Sequence, residues 1–140
     1  MNLLLDTSVL LAACGSASGA SREVFRLAEQ NEWSLLVTPY ILRELERNLP
    51  FLAASVQEDC VRLKGGLRLV PDVLTLDRPA VFPPGKDRPV LFSALAWADV
   101  LLTLDRGDFR GVLDGTFYGL RVFKPGSFLQ AERAAGRLLL

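Results

Sequence analysis

The stretch Asn2-Leu3-Leu4-Leu5-Asp6-Thr7-Ser8-Val9-Leu10 decides the fold. Its three leucines are an unbroken apolar run rather than an alternation, the pattern of a strand covered on both faces, as in a parallel sheet. The run stops at an acid, and Asp6 is a good N-cap for a helix over residues 7–13. A buried strand that turns at once into a helix opens an alternating α/β chain.

Working outward, four more short apolar runs recur, at Ser34–Val37, residues 67–70, residues 100–104 and Leu120–Phe123. Helical signals lie between them. Ser21 can cap a helix over residues 21–30. Thr38 followed by Pro39 is an N-cap and N1 pair for a helix ending at Asn48, and a further helix after Pro50 ends near Gly65-Gly66. Residues 71–85 contain Pro79, Pro83, Pro84 and Gly85 and read as an irregular connection. Asp87-Arg88-Pro89 then opens a helix over residues 88–98, and another follows Pro125-Gly126, from Ser127 toward Leu139. Strands alternating with helices imply right-handed crossovers and a parallel sheet between two helical layers, within a single domain spanning residues 1–140.

Half of the 140 residues are apolar, enough for a substantial core. Sixteen basic residues balance sixteen acidic ones, so net charge recruits neither nucleic acid nor membrane. The two cysteines, Cys14 and Cys60, have no metal-ligand spacing and are too few for a disulfide framework. They read as small buried hydrophobes in a reducing cytosol. The first residues lack a basic n-region and lose their apolar run at Asp6, which is unlike a signal peptide, and no stretch approaches the roughly 20 apolar residues of a membrane span. A cytoplasmic location is expected. The chain has no histidine. Catalysis by Ser-His-Asp or Cys-His groups is therefore excluded, as are most zinc hydrolase sites, and an all-oxygen site favours Mg²⁺ or Mn²⁺.

In a parallel sheet the loops after strands and the starts of the following helices share the carboxyl edge, where open α/β folds place their sites. Asp6 and Asp105 follow apolar runs, Asp87 opens a helix, and Glu44 lies about a turn and a half into the helix after Thr38. Asp99 precedes a strand and belongs to the far edge. Four carboxylates at one edge repel and raise one another's pKa unless a cation neutralises them. Setting these four aside leaves twelve acids against sixteen bases, so the remaining surface is basic. Each residue also has an ordinary reading. Asp6 and Asp87 serve as helix caps, Glu44 as a solvated helix residue among Arg43, Glu46 and Arg47, and Asp105 as the start of an Asx turn. Thr7, Ser8 and Thr103 adjoin the acids, with capping and turn bonds as their simplest employment. Only the joint placement at one edge favours a site.

The opening Leu3 to Leu10, the helix Thr38-Pro39-Tyr40-Ile41-Leu42-Arg43-Glu44-Leu45, the segment Lys86-Asp87-Arg88-Pro89-Val90-Leu91 and the run Leu102-Thr103-Leu104-Asp105-Arg106-Gly107-Asp108-Phe109 resemble, in order and spacing, the PIN domain family. The resemblance runs from Asn2 to about Phe123. It implies a three-layer α/β/α fold with a five-stranded parallel sheet in the order 3-2-1-4-5, and a metal-dependent ribonuclease site. The family's acidic positions match Asp6, Glu44, Asp87 and Asp105, with Asp108 at a peripheral one.

The implied chemistry is phosphodiester hydrolysis by one or two Mg²⁺ or Mn²⁺ ions, with Asp6, Asp87 and Asp105 as ligands and Glu44 ligating or orienting water. RNA needs cations beside such a site. By position these are Arg43, Arg47, Lys86, Arg88, Arg106 and Arg110, and Tyr40 and Phe109 are the aromatics nearest to it, although core packing is the simpler reading for Phe109, as it is for Trp33 and Trp97. The resemblance further implies homodimerisation and an antitoxin partner, and the apolar end Leu138-Leu139-Leu140 could pack internally or at such an interface. Two other readings fit worse. A haloacid-dehalogenase-type phosphatase expects an acid two residues after Asp6, where Ser8 stands, and the lysine of a receiver domain is not matched with assurance by Lys124-Pro125. A PIN-like module that binds metal or a partner without turnover is the alternative from a different class.

Overall fold

In the computed structural model, residues 1–74, 88–107, 109 and 111–140 are described, with the Arg88 side chain left out. The first strand, β1 (Asn2–Leu5), lies inside the sheet, and Leu3, Leu4 and Leu5 are all fully buried. Because successive side chains of a strand point to opposite faces, burial of all three requires helices on both faces. Each such leucine contributes roughly 1.5–3 kcal/mol on leaving water.

Helices α1 (Thr7–Gly15) and α2 (Ala20–Ala28) lead to β2 (Ser34–Val37). Helix α3 (Pro39–Asn48), a short 3₁₀ turn (Leu49–Phe51) and α4 (Ala54–Lys64) follow, then β3 (Arg68–Leu69). Helix α5 (Arg88–Trp97) precedes β4 (Val100–Leu102), and a hairpin of β5 (Gly115–Phe117) and β6 (Leu120–Phe123) leads to α6 (Pro125–Ala134). The sheet order is β3-β2-β1-β4-β6-β5, and every pairing is parallel except β5 with β6.

The expected order is thus found across five strands, with Leu120–Phe123 as the fifth in space and β5 added outside it. The hairpin turns through Tyr118 and Gly119, whose φ of 48° and 88° is the left-handed geometry that a two-residue hairpin turn demands. The strand expected at residues 67–70 is only Arg68–Leu69 and is exposed, as befits an edge, and β4 stops at Leu102 rather than Leu104. Helix α2 starts one residue before Ser21 with Gly19 at its cap, so Ser21 is buried inside the helix instead of capping it. Helix α6 begins at Pro125 and ends at Ala134. Thr38 and Asp6 cap as expected, Thr38 Oγ1 accepting from Ile41 N at 3.3 Å and Asp6 Oδ1 from Thr7 N at 2.8 Å.

The cysteines are corrected by the structure. Both are buried, but they are joined as a disulfide between α1 and α4, so neither is a free thiol and the pair no longer argues for a reducing compartment. Trp33 packs edge-on against Phe128 with ring centroids 5.0 Å apart, and Phe109 is fully buried. Trp97 departs from expectation: it is 41% exposed and donates its indole N–H to the Pro71 carbonyl at 2.9 Å. At the C-terminus, Leu138 packs on the core while Leu139 and Leu140 are exposed. Among the described residues no helix is long and apolar enough to cross a membrane.

Candidate metal and nucleic-acid site

Strand β1 lies between β2 and β4, and the chain leaves it in opposite directions along the sheet, through β2 to β3 on one side and through β4 to β6 on the other. This is the topological switch point, where the crevice outside the carboxyl ends of the strands is open to a ligand. The β1–β4 register continues into the loops, with Asp6 N donating to Leu102 O at 3.0 Å. Asp6 and Thr103 therefore leave adjacent strands side by side.

Around Asp6 the side chains form one connected network. Its Oδ1 accepts from Thr7 N, while Oδ2 accepts from Thr103 Oγ1 at 2.8 Å and from Ser8 Oγ at 3.1 Å. Each hydroxyl is held in turn by a backbone N–H, Ser8 from the opposite loop and Thr103 from within its own. Leu104 N donates to Ser8 Oγ and Asp105 N to Thr103 Oγ1, both at 3.0 Å. Asp105 Oδ1 accepts from Gly107 N at 3.0 Å, so the expected Asx turn exists and fixes this acid beside the network.

Asp6 is 7% exposed and Thr103 fully buried. Burial pushes the Asp6 carboxyl above its ordinary range. The hydrogen bonds from Thr103, Thr7 and Ser8 pull it back down, and the charge of Asp105 adds to the rise. An ionised Asp6 is thus held at some cost.

Helix α3 is tied to the same corner. Thr7 Oγ1 donates to the Ile41 carbonyl at 3.4 Å, and Glu44, half-buried, stands one turn further along the same side of the helix. Arg43, Arg47 and Arg106 are exposed. Asp87, Asp108, Lys86 and Arg110 lie outside the described residues, as does the side chain of Arg88. Asp99 is at the far edge as expected, its Oδ2 accepting from Asn2 N at 2.7 Å. Among the described residues no three acids or cysteines are grouped closely enough to hold a metal. Asp6 and Asp105 are brought together, with the other expected acids either on α3 or outside the described part.

Two features escape a reading of the sequence. Thr103 fastens Asp6 across two strands and Leu104 N reaches Ser8 Oγ the same way, whereas the local context of both hydroxyls points to bonds within their own turns. Asp72 is the other, an acid that also follows an apolar run. Its Oδ2 accepts from Tyr40 N at the start of α3 at 3.1 Å, and its Oδ1 is buried without a partner among the described residues. The rule that selects Asp6 and Asp105, an acid just past a strand, would have found it.

The sequence profile of the PIN domain family matches residues 2–107. The chain belongs to the PIN domain family. Solved structures share the PIN fold at low identity. PAE2754 from Pyrobaculum aerophilum aligns with a TM-score of 0.62 at 14% identity, over 96% of this chain and 90% of that one. A chain of VapBC2 from Rickettsia felis, solved bound to a DNA fragment from its promoter, aligns with a TM-score of 0.61 at 14% identity, over 87% and 97%. A chain of the DNA-bound VapBC from Salmonella typhimurium aligns with a TM-score of 0.55 at 15% identity, over 89% and 98%. No curated protein matches this PIN chain.

Proposed function

We propose that this PIN domain protein is a metal-dependent endoribonuclease that hydrolyses RNA phosphodiester bonds at the carboxyl edge between β1 and β4. The observation that carries the reading is the buried Asp6 carboxylate, fastened by Ser8 and Thr103 beside Asp105 at the switch point of the sheet. The donors there are all hard oxygens, which suits Mg²⁺ or Mn²⁺. A cation is also what would relieve a carboxylate held in its charged form against burial and a like charge.

Asp6, Asp87 and Asp105 would hold the ion, with Glu44 as a further ligand or the group that orients water, and Asp108 at the periphery. Bound there, the ion supplies positive charge to the scissile phosphate and makes water a better nucleophile at neutral pH. The chain's own part is to fix the acids. Thr103 and Ser8 aim Oδ2 of Asp6, and the Asx turn at Gly107 aims Asp105. Arg43, Arg47, Arg88 and Arg106 are the side chains assigned to the RNA backbone, where phosphate contacts supply affinity without sequence information. Two of the similar structures are VapBC assemblies, which supports a role as the toxin of a toxin-antitoxin pair. We extend the reading to a cytoplasmic homodimer. The alternative is a PIN-like module that binds metal or a partner without turnover.

The test is purified protein with labelled single-stranded and structured RNA in Mn²⁺, Mg²⁺ or EDTA, beside the variant Asp6→Asn/Asp87→Asn. Cleavage that requires metal and disappears in the variant supports the nuclease. Equal cleavage by the variant sinks the site assignment, and no cleavage together with no metal binding by calorimetry leaves the binding module.

A further inference from the structure

Helix α4 is weakly built into this fold. Of its eleven residues only Cys60 is buried, with Val56 and Leu63 half-buried against the core and Val61 70% exposed. Its N-cap, Ala53, makes no side-chain capping bond. A helix of this length is marginal in water without tertiary support. The covalent and charged ties of α4 to the rest of the domain are concentrated at one point. The Cys14–Cys60 disulfide joins it to the last turn of α1, across 46 residues of chain. Beside the disulfide, Arg22 of α2 donates from Nε to the Ala13 carbonyl at 2.6 Å and from Nη2 to the Cys14 carbonyl at 3.4 Å, and it pairs with Asp59 at 3.0 Å. Helices α2 and α4, with Ala17 of the α1–α2 connection, border a groove lined by Ala17, Arg22, Phe25, Arg26, Arg62 and Leu63, so the position of α4 sets the shape of that groove.

We propose that the Cys14–Cys60 disulfide is a redox latch that clamps α4 onto α1 when oxidised and frees it when reduced, remodelling the groove between α2, α4 and the α1–α2 connection. The reductant is a thiol. Two thiols give up two electrons and two protons, the Cys14–Cys60 bond breaks to two cysteine thiols, and the reductant becomes a disulfide. Cys14 is 4% exposed and Cys60 fully buried, so the attacking thiolate reaches sulfur only as α4 lifts, which couples reduction to undocking. Once reduced, α4 retains one small buried side chain, two half-buried ones and the partly exposed Arg22–Asp59 pair. Those contacts hold the helix far less firmly than a covalent bond.

The experiment is hydrogen exchange by mass spectrometry on the whole protein, poised with oxidised glutathione or with excess dithiothreitol, and free thiols counted after unfolding. The expected result is no free thiol in the oxidised sample and two in the reduced one. Peptides of α4 should then exchange at least about tenfold faster on reduction, while β1, β2 and β4 stay protected for much longer than α4. A Cys14→Ala/Cys60→Ala variant should show the reduced pattern and ignore the reductant. Should that variant fail to fold, the wild-type comparison still decides. Two thiols in the glutathione-treated sample, unchanged α4 exchange on reduction, or loss of protection in α4 and the strands together would each overturn the latch, the last by making the disulfide a staple of the whole domain.

Discussion

Replacing Thr103 by valine tests the wiring around Asp6 directly, because valine keeps the branched shape and removes only the hydroxyl. In the wild type that hydroxyl donates to Asp6 Oδ2 at 2.8 Å and accepts from Asp105 N at 3.0 Å, in a fully buried position. A hydrogen bond to an ionised acceptor contributes about 1.5–3 kcal/mol and a neutral one about 0.5–1.5 kcal/mol. The variant should therefore lose roughly 2–4.5 kcal/mol at neutral pH with no cavity term. With an unfolding entropy of about 2.1 cal/mol/K per residue, a chain of this length should melt roughly 7–15 °C lower. Thr103→Ser keeps the hydroxyl and deletes one methyl, for about 1 kcal/mol. The pH dependence has a definite sign. Burial already raises the folded pKa of Asp6 above its unfolded value, so the ionised carboxylate costs stability above that folded pKa and the cost is relieved on acidification through it. Removing the Thr103 bond, which lowers this pKa, enlarges the cost, so the gap between wild type and valine variant should narrow as pH falls. Urea unfolding of the three proteins at neutral and acidic pH makes the comparison. A valine variant within 1 kcal/mol of wild type at neutral pH, or a serine variant less stable than the valine one, would refute the reasoning.

Asp6→Asn should be at least as stable as wild type without metal, and Mn²⁺ or Mg²⁺ should raise the melting temperature of the wild type only; an equal shift in both proteins would show that the ion binds elsewhere. Glu132, buried on α6, takes two bonds from Arg137 at 2.8 and 2.9 Å and one from Arg121 at 3.4 Å, and the Arg137 hydrogen bond foremost holds its carboxyl below the ordinary 4.5. Its stabilisation is present above 4.5 and lost as pH falls through the lower folded value, so Glu132→Gln should cost about 1–3 kcal/mol at neutral pH and converge with wild type in acid denaturation. Thr38→Ala removes the cap of α3 and should cost about 1 kcal/mol in urea unfolding, with a cost below measurement error telling against the capping role.

The strands most legible in the sequence are those whose signal is burial. Asn2–Leu5, Ser34–Val37 and Leu120–Phe123 match their apolar runs residue for residue, because both faces are covered or nearly so. Strand β5 offers Gly115 and Thr116 exposed and only Phe117 buried, and it exists because it pairs with β6, which no local pattern records. The cysteines fail for a related reason. A separation of 46 residues is uninformative until α4 is packed on α1. At the candidate site, the position of Asp6 and Asp105 follows from where apolar runs stop. The Ser8 bond to Asp6 is local, but the Thr103 hydroxyl cannot be assigned to Asp6 until β1 and β4 are known to be neighbours, a fact of strand order rather than of sequence.

Strand order also bears on what Asp6 is for. Among the described residues, side chains cap two helices at this edge, both directly after strands of the same sheet. At α3 the cap is Thr38, fully buried, with a neutral hydroxyl meeting Ile41 N. At α1 it is Asp6, nearly as buried, with a carboxylate meeting Thr7 N. Capping alone therefore needs no charge in this setting, and a charge is the costlier choice, since burial and Asp105 both press the carboxyl toward its neutral form. Two further donors, Ser8 and Thr103, are brought to the oxygen that capping leaves over, and they hold it as an acceptor. A helix cap gains nothing from that second oxygen being fixed. A ligand for a hard cation does, which is why the nuclease proposal rests on the far side of the Asp6 carboxylate rather than on its cap.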